Sequence, residues 1–300
     1  MKMANLSAAA AGLLAGTAAV SLGLVYLTMA GAPGRAIALN CAALLVGLAA
    51  FATVALPRWR LGRAGAFLLP ALGGALLAAA LFGVSGDGAT RWIALGPLIL
   101  QPSLILLPAM LVAFARAPDQ SGAAGMALAA AALALQPDRA MAAVLVAGLA
   151  VLVFSRREPA VRLALAAAVA GLIGTLLRPD QLPAVPYVDG ILFSAFSVHP
   201  LAGLAVVGGA ALLPLPALAG GRGARLPALA FGAVWLAAVA AAALGNYPTP
   251  LVGYGGSAIV GYLLSVGVLA PAAATQGTRP PLFGRRRGSD ADPLLSAGLS

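Results

Sequence analysis

GDGATRWIALGPLILQPS, residues 86 to 103, interrupts a very apolar chain with a glycine turn, Asp87, an Arg91–Trp92 pair and a Gln101-Pro102-Ser103 that opens the next apolar run. Aromatic and basic side chains favour the lipid headgroup level. The stretch therefore reads as a folded loop at a membrane surface rather than a plain connector. Its position between two apolar runs sets how the chain on either side is divided.

Sixty-two per cent of the 300 residues are hydrophobic and only 9% are charged. A water-facing surface needs about a quarter of residues charged, so a soluble globular domain is excluded. The fold class is all-α, a polytopic integral membrane protein. Alanine, glycine and arginine are in excess and Lys2 is the only lysine. That skew looks like nucleotide-composition bias, so alanine-rich helices carry no functional weight. The net charge of +10 is better explained by arginines pinning cytoplasmic loops than by a nucleic-acid partner. Cys41 is the sole cysteine and lies mid-helix, which excludes a disulfide and a cysteine metal site. One histidine and eight carboxylates argue against an all-protein transition-metal site. No cofactor motif is evident, and a divalent cation has no support in the sequence.

A spanning helix needs about 20 apolar residues, with about 17 tolerated. Ten runs qualify, at roughly 7–31, 36–56, 64–84, 100–115, 121–135, 140–155, 159–177, 190–214, 226–244 and 250–270. The fifth and sixth are short and must tilt little or extend into their flanks. Ala30-Gly31-Ala32 has the form of a signal-peptidase site, but the run before it is too long for a signal h-region and Pro33 follows. It reads as a retained helix. With both termini in the cytoplasm, fourteen of the eighteen basic residues fall inside. Arg35, Arg91, Arg139 and Arg178 are left outside, an asymmetry that supports this orientation. Residues 1–274 form one transmembrane domain. The proline-, glycine- and arginine-rich segment 275–300 reads as a disordered basic tail, with Arg285 to Arg287 a stop-transfer or solvated run rather than a contact to anionic lipid.

This topology gathers the unusual polar residues on the outer face. Gln101-Pro102-Ser103 opens the fourth span, Gln136-Pro137-Asp138 the sixth and Asp189 the eighth, while Gly255-Gly256-Ser257 lies near the start of the tenth. Taken singly, each is an ordinary helix start. Together, several helix N-termini make an electropositive surface that suits phosphate, and Arg91, Arg139 and Arg178 could add bidentate contacts. Asp189 follows Pro183, Pro186 and Tyr187 in a short loop. Partial desolvation there would raise its pKa toward the range of a general base; the plainer reading is an N-cap. His199 is ten residues further on, about 15 Å along a helix, too far for an Asp–His pair. With Pro200 after it, His199 is expected at a kink or in a packing contact.

The ordered set of outer motifs resembles the SEDS family (shape, elongation, division and sporulation proteins). Gly88-Ala89-Thr90-Arg91-Trp92-Ile93, Leu95-Gly96-Pro97 and Gln101-Pro102-Ser103 are similar to its first large outer loop, and Gln136-Pro137-Asp138 to its next outer motif. Pro250 to Ser257, PLVGYGGS, resembles its motif before the last helix, and Gly203 falls where the family has a glycine fourteen residues after its loop aspartate. The resemblance implies a peptidoglycan glycosyltransferase that polymerises lipid II, or another polyprenyl-linked precursor, at the outer leaflet beside a penicillin-binding transpeptidase. In that picture Asp189 is the base that deprotonates the attacking sugar hydroxyl. Arg91, Trp92, Gln101, Ser103, Gln136, Asp138, Arg178, Tyr254, Gly255, Gly256 and Ser257 would bind substrate.

The sequence also departs from the family. Leu104 and Leu107 stand where it has a glutamate and a lysine, and Arg139-Ala140 where Gln-Pro-Asp is followed by Leu-Gly. Ser197 replaces a glutamate, and only about a dozen residues join Leu177 to Asp189 in place of a long loop. Losing a buried ion pair to two leucines can leave a fold intact. Three functions follow as expectations: a shortened lipid II polymerase, a non-catalytic precursor-binding or scaffold protein, and a small transporter or flippase. The last is disfavoured because few polar residues lie at helix centres, where a substrate path needs them.

Overall fold

The computed structural model describes residues 7–55, 65–86, 89–96, 98–179, 182–219, 221 and 224–270. The expected basic tail, Lys2, the loop arginines 58, 60, 63 and 222, and Asp87, Gly88 and Pro97 of the outer motif lie outside them. Eleven α-helices are described: α1 Ala8–Met29, α2 Gly34–Ala55, α3 Gly65–Phe82, α4 Pro102–Arg116, α5 Gln120–Leu135, α6 Arg139–Ser155, α7 Pro159–Leu176, α8 Ile191–Val198, α9 Pro200–Leu212, α10 Arg225–Leu244 and α11 Gly256–Leu269. Three short strands, β1 Val84–Gly86, β2 Ala89–Leu95 and β3 Leu98–Leu100, lie between α3 and α4.

Four helices, α1, α2, α7 and α10, are long and apolar enough to cross a membrane by themselves; the others are shorter. A helix of 15 residues such as α4 reaches about 22 Å at 1.5 Å per residue, less than the hydrocarbon thickness of about 30 Å. Burial resolves the mismatch. Eleven residues of α4 and ten of the fourteen in α11 are buried, so these helices meet other helices rather than lipid. α2 is the opposite case: only Ala36, Asn40, Ala43 and Gly47 are buried, a narrow stripe against α11, while Leu45 and Val46 lie open. Without a hydrophobic drive between helices in lipid, small residues that admit close backbone approach decide which helices pair. A Cβ on Gly261 of α11 would run into the Leu104 carbonyl of α4, and one on Gly73 of α3 into the Gly125 carbonyl of α5. Phe231, Trp235 and Tyr262 fill the space between α10 and α11 with ring centroids 5.0 to 6.4 Å apart.

Two expected spans are corrected. The run 190–214 is not one helix: α8 stops at Val198 and α9 starts at Pro200. His199 between them is extended (φ −167°, ψ 144°), and its Nδ1 accepts the Leu201 N–H at 3.1 Å as the N-cap of α9. Proline supplies no N–H and clashes with the preceding turn, and the imidazole takes over a helix-start donor. The run 250–270 becomes helical only at Gly256. Residues 250–255 form turns, with Leu251 left-handed at φ 64°, because this proline- and glycine-rich stretch has little to hold a helix.

The loop at 86–103 is folded. β1–β2–β3 form an antiparallel sheet in chain order, with Val84 opposite Trp92 and Ile93 opposite Leu100. Thr90 fastens it to α3 through a 2.8 Å hydrogen bond to the Ala80 carbonyl.

Candidate functional site

One large cavity, about 1040 Å³, opens at the end of the bundle that carries the sheet. Its wall is mostly apolar. Ala36, Leu39, Ala43 and Val46 of α2, Leu98 to Leu100 of β3, and Leu104, Ile105 and Val144 supply most of it. The polar residues are fewer and come from separate elements: Arg35 at the start of α2, Arg91 and Trp92 from β2, Gln101 before α4, Asp138 before α6, Tyr187 and Asp189 before α8, and Asn246, Tyr247, Thr249 and Tyr254 to Ser257 before or at the start of α11. Sites for amphipathic ligands have this character, a large apolar lining with a few placed polar groups.

Gln101, Ser103, Asp138 and Ser257 form one network. Asp138 Oδ2 accepts from Gln101 Nε2 at 3.0 Å and from Ser103 Oγ at 3.4 Å, and its Oδ1 caps α6 by accepting the Met141 N–H at 3.1 Å. The Gln101 N–H donates to Ser257 Oγ at 2.9 Å. The starts of α4, α6 and α11 are thereby tied to one carboxylate. Ser103 contributes from behind; it is fully buried and does not line the cavity.

Arginines at this end hold helix C-termini. Arg91, 3% exposed, donates to the carbonyls of Gln136 (3.4 Å) and Pro137 (2.6 Å) in the α5–α6 turn. Arg178 donates to Ala134 and Leu135 at the end of α5, and Arg139 to Thr175 and Arg178 at and just beyond the end of α7. Carbonyls in and just beyond the last turn of a helix lack the usual intrahelical partner and carry the negative end of the helix dipole, so a cation there is stabilising. Arg178 and Gln136 lie outside the cavity lining. Gln136 is fully buried, and neither polar atom of its side-chain amide has a partner among the described residues.

Asp189 does not cap a helix. Gly190, left-handed at φ 67°, is the N-cap of α8. Asp189 instead turns back: its Oδ2 accepts the Val185 N–H at 2.8 Å, while Oδ1 is buried with no hydrogen-bond partner among the described residues. Burial pushes its pKa above the ordinary carboxylate value, and the Val185 N–H opposes that in part. The loop is paired with the one before α11. Asp189 forms an antiparallel bridge with Pro248, the Thr249 N–H donates to Val188 O at 3.0 Å, and the Tyr254 N–H donates to Tyr187 O at 2.7 Å. Tyr187 is itself left-handed at φ 64°.

Sequence reasoning missed Asn40. It sits in α2, fully buried, donating from Nδ2 to Gly253 O at 2.9 Å and accepting the Gly255 N–H at 3.2 Å on Oδ1. The amide thus clamps the backbone on both sides of Tyr254. A lone amide inside an apolar span was the available signal, since a polar group there needs a partner.

A bundle of short buried helices ringed by apolar ones, with a small sheet over a greasy cavity whose polar residues all sit at one end, defines a multi-pass membrane protein. The chain has the SEDS-family fold. It is similar to the rod shape determining protein RodA of Thermus thermophilus, with 26% identity over 86% of this chain and 94% of that one and a TM-score of 0.60. A variant of that RodA with a single aspartate-to-alanine substitution matches equally, at a TM-score of 0.61. A chain of a peptidoglycan synthase complex that coordinates polymerization and crosslinking is similar at 26% identity, over 86% of this chain and 96% of that one, with a TM-score of 0.57. No family model matches the chain, and no curated protein sequence matches it.

Proposed function

We propose that this protein is a SEDS-type peptidoglycan glycosyltransferase of cell-wall assembly, acting on lipid II or a closely related polyprenyl-linked sugar. The observation that carries the reading is Asp189: a half-buried carboxylate in the wall of a cavity apolar enough for a lipid chain, with Oδ1 unpartnered. As general base, Asp189 takes the proton from the acceptor sugar hydroxyl. That oxygen attacks the donor's anomeric carbon, a C–O bond forms, and the bond to the pyrophosphate oxygen breaks to release undecaprenyl pyrophosphate. Arg91 and the N-terminal ends of α4, α6 and α11 give the wall a positive field suited to the leaving group. Gln101, Asp138 and Ser257 fix those ends, and Trp92, Tyr254, Gly255 and Gly256 shape the pocket. Ser103, Gln136 and Arg178 support from behind. A penicillin-binding transpeptidase is the expected partner, and both termini are assigned to the cytoplasm.

A second reading, precursor binding without catalysis, rests on Leu104, which lines the cavity as an aliphatic side chain, and Leu107, which is fully buried behind it. Purified protein given lipid II and a cognate transpeptidase separates the two. Glycan chains from the wild type and none from Asp189→Ala support polymerisation. No chains from either protein, with partner binding retained, support the binding role.

A further inference from the structure

A second depression, about 460 Å³, lies against the main cavity. Leu182, Pro183, Asn246 and Tyr247 line both, so one thin wall separates them. That wall is the paired ribbon of the loops before α8 and α11: Asn246 Nδ2 donates to Leu182 O at 3.2 Å, and Asp189 bridges to Pro248 further along. The two spaces differ in character. The main cavity is large and greasy; the outer groove is smaller, open, and about evenly polar and apolar, and Arg139, Leu244 and Gly245 line it alone.

We propose that the outer groove is a saccharide subsite, holding the hydrophilic glycan of the substrate or product while the lipid portion stays in the main cavity. This rests on the glycosyl-transfer reading above and adds where the sugar chain goes. The groove's size falls within the range of small-molecule sites, about 300–1,000 Å³. A pyranose ring presents an apolar C–H face and a rim of hydroxyl and acetamido groups. Tyr247 offers a surface for the first, its ring being apolar on its faces and polar at its tip. The Asn246 amide and Arg139 offer donors and an acceptor for the second. Arg139 gives two hydrogen bonds to carbonyls, from Nε at 3.3 Å and Nη2 at 2.6 Å, out of a guanidinium with five N–H groups. Because Asp189 belongs to the separating ribbon, a chain leaving its carboxylate crosses only that wall to reach the groove.

The test uses the full chain in lipid nanodiscs and a soluble tetrasaccharide of alternating N-acetylglucosamine and N-acetylmuramic acid. A spin label is placed at Leu244→Cys or, at the opposite end of the bundle, at Leu218→Cys, each in a Cys41→Ser background. Both sites are well exposed, at 88% and 84%. The label at 244 should broaden the saccharide's proton resonances and the label at 218 should leave them sharp. Tyr247→Leu should weaken binding by about tenfold, the loss of roughly one aromatic contact. Equal broadening from both labels, or none from 244, overturns the subsite. Localised binding by a protein that makes no polymer from lipid II would sink only the polymerase reading. Polymer formed without localised binding would sink only the groove.

Discussion

The two oxygens of Asp189 have different jobs. Oδ2 holds the Val185 N–H and so fixes the carboxylate's direction; Oδ1 has no partner among the described residues and is the atom placed to take a proton. Burial raises the pKa, so the folded state favours the protonated form. A raised carboxylate pKa contributes stability that is full below the unfolded value and is lost as pH rises through the folded value. Wherever Asp189 is ionised, the wild type therefore carries a partly buried charge at a net cost. Asn in its place keeps an acceptor for Val185 and removes that charge. Asp189→Asn is expected to leave the thermal midpoint at pH 7 unchanged or higher while glycan synthesis falls by about 10²- to 10⁴-fold, the range for a lost general base. A stability loss parallel to the activity loss would make Asp189 structural. The same shift sets the pH profile: kcat/KM for lipid II should climb with pH through an apparent pKa above the ordinary carboxylate value of 3.8. An acid limb at or below that value would contradict the proposed base.

Among the elements, α2 shows how one polar residue positions a loop. Its exposed face is apolar, and Asn40 alone reaches into the turn that carries Tyr254. Asn40→Leu keeps the branched outline of the side chain but strands the Gly253 carbonyl and the Gly255 N–H, each costing about 1–3 kcal/mol when left unsatisfied. A clear fall in thermal midpoint in detergent is expected, and an unchanged midpoint would show that the clamp holds nothing. Glycines separate in the same way. Gly261→Ala drives a methyl into the Leu104 carbonyl and should destabilise the α4–α11 crossing, whereas Gly74→Ala has nothing within 4 Å and should stabilise α3 by about 0.4–1 kcal/mol. Most spans were legible because apolar runs of spanning length have few other uses. The break at His199 was legible only as a kink before Pro200 and not as the end of a helix, because the apolar run continues through it and proline alone does not end one: Pro70 and Pro108 sit inside α3 and α4. What ends α8 is the extended His199 and the imidazole that caps the next helix, a hydrogen bond no run of hydropathy records. Strands of three residues such as β1 and β3 are likewise too short to announce a sheet.

For the whole molecule, the arginine asymmetry expected to set orientation gains a physical reading from the bonds these side chains make. Three of the four outer arginines, Arg91, Arg139 and Arg178, are tied to carbonyls in or beside helix C-termini, where they neutralise the local dipole. They serve the fold at that end, and the positive-inside bias is carried by the remaining loop arginines. Counting α8 and α9 as one broken span, the described helices would make ten crossings, and α10 lies between Leu218 and Leu244, which puts them at opposite ends of the bundle. The polar network of Asp138, the carboxylate of Asp189 and the sheet all share the Leu244 end, and a substrate at the outer leaflet requires that end to face outward. In intact cells, with Cys41→Ser as background, Leu244→Cys should react with a membrane-impermeant maleimide, and Leu218→Cys should react only after the membrane is opened. Labelling in the reverse pattern would turn the cavity toward the cytoplasm and remove the outer-leaflet reaction. Labelling of both sites from outside would break the crossing at α10, because a single span between two sites must place them on opposite faces.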